Sequence, residues 1–169
     1  MRTAIVLFTR DLRVHDNPAL SAAVREAERI VPLFVFDDAI LGTAFARPNR
    51  VAFLLDALRD LDASLARRGA RLVVRSGDVV AETLALARNV GAEGVFVAED
   101  ASGYAQRRQR RLEDACRGDR VAMRVTPGVT VAPLSRSRRV QVVTTACSRR
   151  STAPGRVRSG VRSPLRRGG

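Results

Sequence analysis

Residues 3–20 read TAIVLFTRDLRVHDNPAL, and they carry the clearest signal of the fold in this chain. The first six residues of this stretch, Thr3–Phe8, form a nearly continuous apolar run, which is typical of a strand covered by helices on both faces. Asn17 then supplies a helix N-cap, and Pro18 fits the first helical turn because its missing N–H has no partner to lose there. The stretch therefore predicts a buried strand followed by a helix.

Short aliphatic runs and longer amphipathic runs alternate in the same way up to residue 134. This rhythm is typical of βαβ units. Further strands are predicted at residues 30–36, 71–75, 94–98 and 120–125, and further helices at 48–68, 78–90 and 101–117. Pro32 predicts a late start to the hydrogen-bond ladder of the second strand. The last helix has a thin apolar face, which predicts peripheral packing, and the long connection at 37–47 is a candidate lid.

Five strands joined by right-handed helical crossovers predict an α/β fold, a Rossmann-like parallel sheet in the order 3-2-1-4-5 with helices on both faces. In such sheets ligands bind outside the carboxyl ends of the strands, where the winding direction reverses. Here that point lies between the first and fourth strands. The residues expected to line it are Thr9, Arg10, Asp37, Asp38, Glu99 and Asp100.

Composition supports one domain with an aliphatic core, since 46% of the 169 residues are hydrophobic and only 4% are aromatic. No apolar run approaches the ~20 residues of a membrane-spanning helix, and no signal peptide is recognisable, so we expect a cytoplasmic protein with no membrane partner. Two cysteines, Cys116 and Cys147, provide neither a metal cluster nor a disulfide framework.

The net charge of +13 is unevenly distributed. Residues 1–134 hold 20 Arg and 17 acidic residues, whereas residues 135–169 hold 10 Arg and no acidic residue. The second segment has too few apolar side chains to repay the entropy of ordering, which predicts a disordered basic tail. Such a tail would bind nucleic acid and other polyanions weakly and without sequence preference.

The loop after the first strand, TRDLRVHDN at residues 9–17, contains no glycine. Because dinucleotide fingerprints and P-loops need glycines to bring backbone N–H groups against phosphate, neither motif is present. Two interpretations of its alternating charges stay open, a fixed lattice of ion pairs or direct ligand contact. His15 is expected to be a hydrogen-bonding loop residue, and metal binding by the carboxylate pairs at 37–38 and 99–100 is an alternative to helix capping.

Residues 7–20, LFTRDLRVHDNPAL, resemble the start of the DNA photolyases and cryptochromes. Four further features resemble the same amino-terminal α/β domain, and together they cover residues 3–134: VPLFVFD at 31–37, NRVAFL at 49–54, LVVRSGD at 72–78, and Tyr104 with Arg108. The resemblance implies an accessory domain of a deoxyribodipyrimidine photolyase that can hold a light-harvesting antenna chromophore, a deazaflavin, a flavin or a folate. In that family the chromophore passes excitation to FAD in a helical domain.

By position, the resemblance implies nine candidate chromophore contacts: Arg10, Phe34, Phe36, Asp38, Arg50, Phe53, Asp100, Tyr104 and Arg108. Aromatic side chains would hold a planar ring and arginines its acidic chain, although the phenylalanines also suit an ordinary core. A folate site needs the helical domain as well. No catalytic residue is assigned.

The chain has no Trp, and no segment of it resembles the helical FAD domain, so it is expected to be a shortened product that cannot repair DNA alone. A separately encoded FAD domain is the expected partner. Two alternatives are a free-standing nucleotide-binding or stress-response domain and an Arg-rich polyanion-binding protein.

Overall fold

Strands and helices alternate along the chain in a computed structural model, which describes residues 1–43 and 46–128. The elements within these ranges are β1 (Thr3–Phe8), α1 (Pro18–Glu26), β2 (Arg29–Asp37), α2 (Asp38–Leu41), α3 (Pro48–Ala66), β3 (Val73–Gly77), α4 (Val79–Val90), β4 (Gly94–Ala98), α5 (Gly103–Gly118) and β5 (Ala122–Thr126).

The five strands form one parallel sheet in the order β3-β2-β1-β4-β5. Strand β1 lies at its centre, with Thr3 opposite Arg29 of β2 and Ala4 opposite Gly94 of β4. All six residues of β1 are buried. The predicted sheet, its strand order and its helices on both faces are confirmed.

Alternate side chains of β1 enter two separate apolar clusters because successive strand residues point to opposite faces. Ile5 and Leu7 pack in one cluster with residues of α4 and α5. Ala4, Val6 and Phe8 pack in the other with residues of α1 and α3. The sheet is therefore covered on both faces, which explains why its central strands read as almost unbroken apolar runs.

The helix ends follow the local signals in the sequence. The side chain of Asn17 accepts a hydrogen bond from the backbone N–H of Leu20 at 2.9 Å, which caps α1 as predicted. Gly91 ends α4 in the left-handed conformation, with φ of 63°. A residue with a Cβ is disfavoured there, whereas glycine adopts this conformation readily.

Pro32 does not delay the whole of β2, and that prediction is wrong for one of its two ladders. The pairing with β1 begins at Arg29, three residues before the proline. The pairing with β3 begins at Leu33, directly after it. The late start therefore holds only for the ladder with β3. Pro32 has no N–H to donate, and that ladder begins at the residue after it.

Two strands begin two residues later than predicted. The backbone N–H of Leu72 donates to the Asp62 carboxylate, and the Arg71 guanidinium binds the same group. Both residues therefore bind a side chain of α3, and β3 begins after them at Val73. Arg120 has φ of 59°, which is incompatible with a strand, and β5 therefore starts at Ala122.

Helix α5 is part of the core, and the prediction of peripheral packing is wrong. Leu112 is 2% exposed and Cys116 is 1% exposed, and both belong to the cluster on the α4 side of the sheet. Ala105 is buried as well. The apolar face looked thin because it consists largely of small side chains, and small side chains allow close approach of a helix to a sheet.

The connection at 37–47 contains the short helix α2, which the sequence did not indicate. Residues 44 and 45 lie outside the described ranges, and the lid stays a prediction. The predicted domain boundary at residue 134 and the predicted disordered tail at 135–169 also lie outside them. No helix of the described part is both long and apolar enough to cross a membrane.

Candidate functional site

The carboxyl ends of β1, β2 and β4 meet at one edge of the sheet, where β1 separates the two directions of winding. A depression of about 270 Å³, including its opening to solvent, lies there against α5 and is lined by Leu7, Val97, Ala98, Asp100, Ala105, Arg108, Gln109 and Leu112. Because this volume includes open solvent, the enclosed space is far smaller than the roughly 300–1,000 Å³ of ligand pockets. The described residues thus form a shallow, open site.

Arg10 and Asp100 are joined across the predicted crevice. The Arg10 Nη1 atom lies 3.1 Å from Oδ1 of Asp100, and the arginine side chain is 65% exposed while the aspartate side chain is 10% exposed. The same Oδ1 accepts the backbone N–H of Ser102 at 2.9 Å. Burial opposes ionisation of Asp100, but the Ser102 N–H and the Arg10 guanidinium outweigh it and lower the pKa of this carboxyl.

Asp37 is the centre of a second polar cluster, at the end of β2. Its Oδ2 accepts a hydrogen bond from the Tyr104 hydroxyl at 2.5 Å and lies 3.8 Å from Nη1 of Arg108. Its Oδ1 accepts the backbone N–H of Ala39 at 3.1 Å. Burial and then the hydrogen bond to Asp37 raise the pKa of Tyr104 to about 12. The guanidinium of Arg108 also lies 5.8 Å from the centre of the Tyr104 ring.

Asp38 is the first residue of α2, whereas Asp37 is the last residue of β2. The Oδ1 of Asp38 accepts a hydrogen bond from the Ser76 hydroxyl at 3.3 Å. The two adjacent carboxylates therefore have different partners. No group of three or more His, Cys, Asp or Glu side chains suited to a metal ion occurs within residues 1–43 and 46–128.

The three candidate phenylalanines have different surroundings. Phe34 is 6% exposed and belongs to the core cluster beneath α1 and α3. Phe36 is partly buried against the same cluster, with its ring centre 5.2 Å from that of Phe34 in an edge-to-face arrangement. Phe53 is 77% exposed on α3. The core interpretation holds for Phe34 and fails for Phe53.

Arg50 is exposed on the first turn of α3, one turn before Phe53. The nine candidates thus form four separate groups and do not surround a single closed pocket. Arg10 and Asp100 form one pair, Tyr104 and Arg108 meet at Asp37, and the remaining candidates are Phe34, Phe36 and Asp38 near the end of β2 and Arg50 and Phe53 on α3.

The loop after β1 contains an ion pair and also a buried acceptor atom without a hydrogen-bond partner. Arg13 Nε lies 2.7 Å from Oδ1 of Asp11, whose side chain is only 8% exposed. Within the described ranges, Oδ2 of Asp11 is buried without a hydrogen-bond partner. His15 contacts Nη2 of Arg68 through Nε2 at 3.2 Å, as a hydrogen-bonding loop residue. Asp16 has φ of 49° and forms no ion pair within these ranges.

Asp11 was not among the nine candidates. It lines a second depression, of about 200 Å³ including its opening to solvent, together with Thr9, Ala98 and neighbouring core residues. A buried carboxylate oxygen without a partner is costly, and it marks a place where a hydrogen-bond donor would be favourable. The sequence shows that Asp11 lies between two arginines, but it does not show which of its oxygens they reach.

The parallel order β3-β2-β1-β4-β5 defines a doubly wound α/β domain with a polar site at its switch point, the place where domains of this kind bind ligands. The family model for DNA photolyase matches residues 4–145, which is more than half of the chain. The chain therefore belongs to the DNA photolyase family. Its architecture is that of the amino-terminal α/β domain, as the resemblance implied.

Two relatives show how far the similarity extends. A deoxyribodipyrimidine photo-lyase of Streptomyces griseus is 50% identical over 115 residues, which cover 68% of this chain and 25% of the relative. A cryptochrome DASH of Danio rerio is 32% identical over 177 residues, which cover 96% of this chain and 34% of the relative. The chain thus spans between about a quarter and a third of these relatives.

Two solved structures share the fold. An archaeal photolyase from Sulfolobus tokodaii, described with two FAD molecules and a novel light-harvesting cofactor, superposes with a TM-score of 0.71 at 26% identity over 80% of this chain and 32% of its own. A class III photolyase from Agrobacterium tumefaciens gives a TM-score of 0.74 at 27% identity over 81% of this chain and 28% of its own.

Proposed function

We propose that the α/β domain of this chain binds a planar antenna chromophore of the flavin or deazaflavin class at the crevice between β1, β2 and β4. The observation that carries the proposal is the polar site at the switch point of a sheet that belongs to the DNA photolyase family. The Sulfolobus relative, described with a light-harvesting cofactor and two FAD molecules, supports the chromophore class.

The proposed contacts divide into charged and aromatic groups. Arg10 and Arg50 would bind the acidic chain of the chromophore, since guanidinium groups pair well with phosphate and carboxylate. Phe53 offers an exposed aromatic face, and Phe36 offers a ring edge that Phe34 supports from the core. The side chains proposed to accept or donate hydrogen bonds at the ring and its hydroxyl groups are Asp38, Asp100, Tyr104 and Arg108.

The chemistry of these side chains fits such a ligand, and the buried Asp11 Oδ2 adds an acceptor for a ring N–H or a hydroxyl donor. The depression is shallow, however, so these residues would hold one side of the chromophore. We propose that a helical FAD-bearing domain, on the same protein or on a separate chain, covers the other side. A folate antenna would depend on that partner still more.

The bound antenna would absorb light and pass the excitation to the FAD of that partner. The residues of this chain would orient the ring and exclude water from one face of it. We assign no catalytic residue to the described part of the chain. The light-driven repair of DNA is proposed for the complete assembly, and the photolyase name of the Streptomyces relative supports it.

Absorbance tests the antenna proposal. The purified chain is incubated separately with FMN, FAD and a deazaflavin, and the fraction that elutes with the protein in gel filtration is measured by its visible or near-ultraviolet band. We expect a retained band with at least one of them, and about tenfold to a hundredfold weaker binding for Arg10→Ala, because a lost charged hydrogen bond costs about 1.5–3 kcal/mol.

Arg117→Ala is the matched control, because this arginine is 78% exposed and pairs with Asp114 in the last turns of α5. Its affinity should equal that of the unchanged chain. Elution of protein without any chromophore band, at ligand concentrations up to the millimolar range, would contradict the antenna proposal. A free-standing nucleotide-binding domain would instead retain a nucleotide that has no visible absorption.

The charge distribution favours a second function, association with polyanions. Residues 135–169 carry 10 Arg and no acidic residue, whereas residues 1–134 are almost balanced. We propose that this segment binds nucleic acid weakly, and that the affinity falls steeply with salt because bound counterions are released. Deletion of 135–169 should abolish retention on DNA at moderate salt, and persistence of tight binding would assign it to the α/β domain.

A further inference from the structure

Tyr104 is the only tyrosine of the chain, and the chain has no tryptophan. It lies on the first turn of α5, partly buried, and its hydroxyl donates to Oδ2 of Asp37 at 2.5 Å. This distance is at the short end of the range for a hydrogen bond between a hydroxyl and a carboxylate. The pair therefore joins an oxidisable phenol directly to a base.

Asp37 is held in place as the hydrogen-bond acceptor of Tyr104. It is 8% exposed, and its Oδ1 is held by the backbone N–H of Ala39. A phenol that loses an electron becomes a strong acid, so its oxidation is favourable only where the proton has somewhere to go. The Asp37 carboxylate can accept this proton along the existing hydrogen bond, without a water molecule or a change in the fold.

Arg108 determines how the charge would move. Its guanidinium lies 5.8 Å from the ring centre of Tyr104, and its Nη1 lies 3.8 Å from Oδ2 of Asp37. A positively charged tyrosyl radical would be repelled by this guanidinium. The neutral radical formed by losing an electron and a proton together avoids that repulsion, so the geometry favours a concerted transfer.

We propose that Tyr104 is a redox-active tyrosine, which gives one electron to a photo-excited flavin-type molecule while its proton passes to Asp37. The O–H bond of Tyr104 breaks, the isoalloxazine gains the electron and becomes a radical anion, Tyr104 becomes a neutral phenoxyl radical, and Asp37 becomes a carboxylic acid. Returning the electron and the proton restores every group. The place of the flavin in the protein rests on the proposed function, and there this electron transfer would compete with the passage of excitation to FAD. The chemistry of the pair itself does not rest on it.

Laser flash photolysis with free riboflavin in solution tests the pair without requiring a bound chromophore. The rate at which the phenoxyl absorption band appears is measured in H₂O and in D₂O. We expect the band in the unchanged chain, a slower appearance in D₂O, and no band in Tyr104→Phe. Because no other Tyr and no Trp is present, the signal has one source.

Asp37→Asn should lower the rate about tenfold or more, which corresponds to about 1.4 kcal/mol in the barrier. Asparagine keeps an oxygen that can accept the Ala39 N–H, so the end of β2 should stay intact. Asp114→Asn is the matched control. It removes an exposed carboxylate from the same helix, and this carboxylate pairs with Arg117 rather than with Tyr104. Its rate should be unchanged.

The concentration of buffer base provides a second measurement that needs no variant. A rate independent of this concentration supports transfer to Asp37, and a rate that rises with it overturns the proposal, as does an unchanged rate in Asp37→Asn or no phenoxyl band at all. A chain that retains no chromophore in gel filtration would instead contradict the antenna proposal alone. Failure of the Tyr104 proposal and failure of the antenna proposal are therefore distinguishable.

Discussion

Replacing Asp78 tests what holds the amino-terminal end of α4. Its Oδ1 accepts the backbone N–H groups of Val80 and Ala81 at 3.1 and 3.0 Å, which makes it the N-cap. Its Oδ2 accepts Nη2 of Arg111 on α5 at 3.0 Å. Asp78→Ala removes both interactions, whereas Asp78→Asn keeps an oxygen for the cap and removes the charge.

The two variants should differ in the free energy of unfolding. Loss of an N-cap oxygen costs about 1 kcal/mol, within a range of roughly 0.5–2. The ion pair joins side chains that are 63% and 45% exposed, and a pair of this kind contributes about 0–1 kcal/mol. We expect a loss of about 1–2 kcal/mol for Asp78→Ala and less than about 1 kcal/mol for Asp78→Asn.

Urea unfolding followed by circular dichroism measures these differences without screening the ion pair. A double-mutant cycle with Arg111→Ala isolates the pair, and its coupling energy should be below about 1 kcal/mol. Equal destabilisation by the Ala and Asn variants would contradict this prediction, because it would show that the charge and not the cap oxygen stabilises the helix end.

Acid pH gives the same prediction a second readout. The backbone N–H of Ala81 and then the Arg111 guanidinium lower the pKa of Asp78 in the folded protein, against the effect of burial. A lowered pKa means that the stabilisation is present above the unfolded-state pKa and is lost as pH falls through the folded-state pKa. The difference between the unchanged chain and Asp78→Asn should therefore shrink on acidification.

Three further predictions concern other parts of the fold. Leu112→Ala should lower the free energy of unfolding by about 2–5 kcal/mol in urea denaturation, since this side chain is 2% exposed; a loss below about 1 kcal/mol would restore the peripheral interpretation of α5. Arg10→Ala should raise the pKa of Asp100 in a carboxyl NMR titration. The stability that this carboxylate contributes would then be lost at a higher pH on acidification. An unchanged pKa would mean that the Ser102 N–H alone is enough to keep it low. Gly128→Ala should lower the melting temperature, because a Cβ there would overlap the backbone oxygen of Glu99, and an unchanged melting curve would contradict this close approach.

The strands, the longer helices and the order of the sheet follow from the sequence, whereas the short helix α2 does not. The apolar run of β1, the Asn17 cap and the glycine after α4 act through neighbouring residues, and right-handed crossovers then leave few arrangements of parallel strands. The motif at 7–20 likewise identified the family, because it is a contiguous pattern.

Contacts between side chains that are distant in the sequence follow only from the folded structure. Tyr104 donates to Asp37 from 67 residues away, and Arg10 reaches Asp100 across 90 residues. These contacts depend on strand register and helix position, which no local pattern encodes. The unpartnered oxygen of Asp11 depends in the same way on where its neighbours lie. Local propensities fix the elements, whereas the partners of a polar side chain are determined only when distant segments pack together.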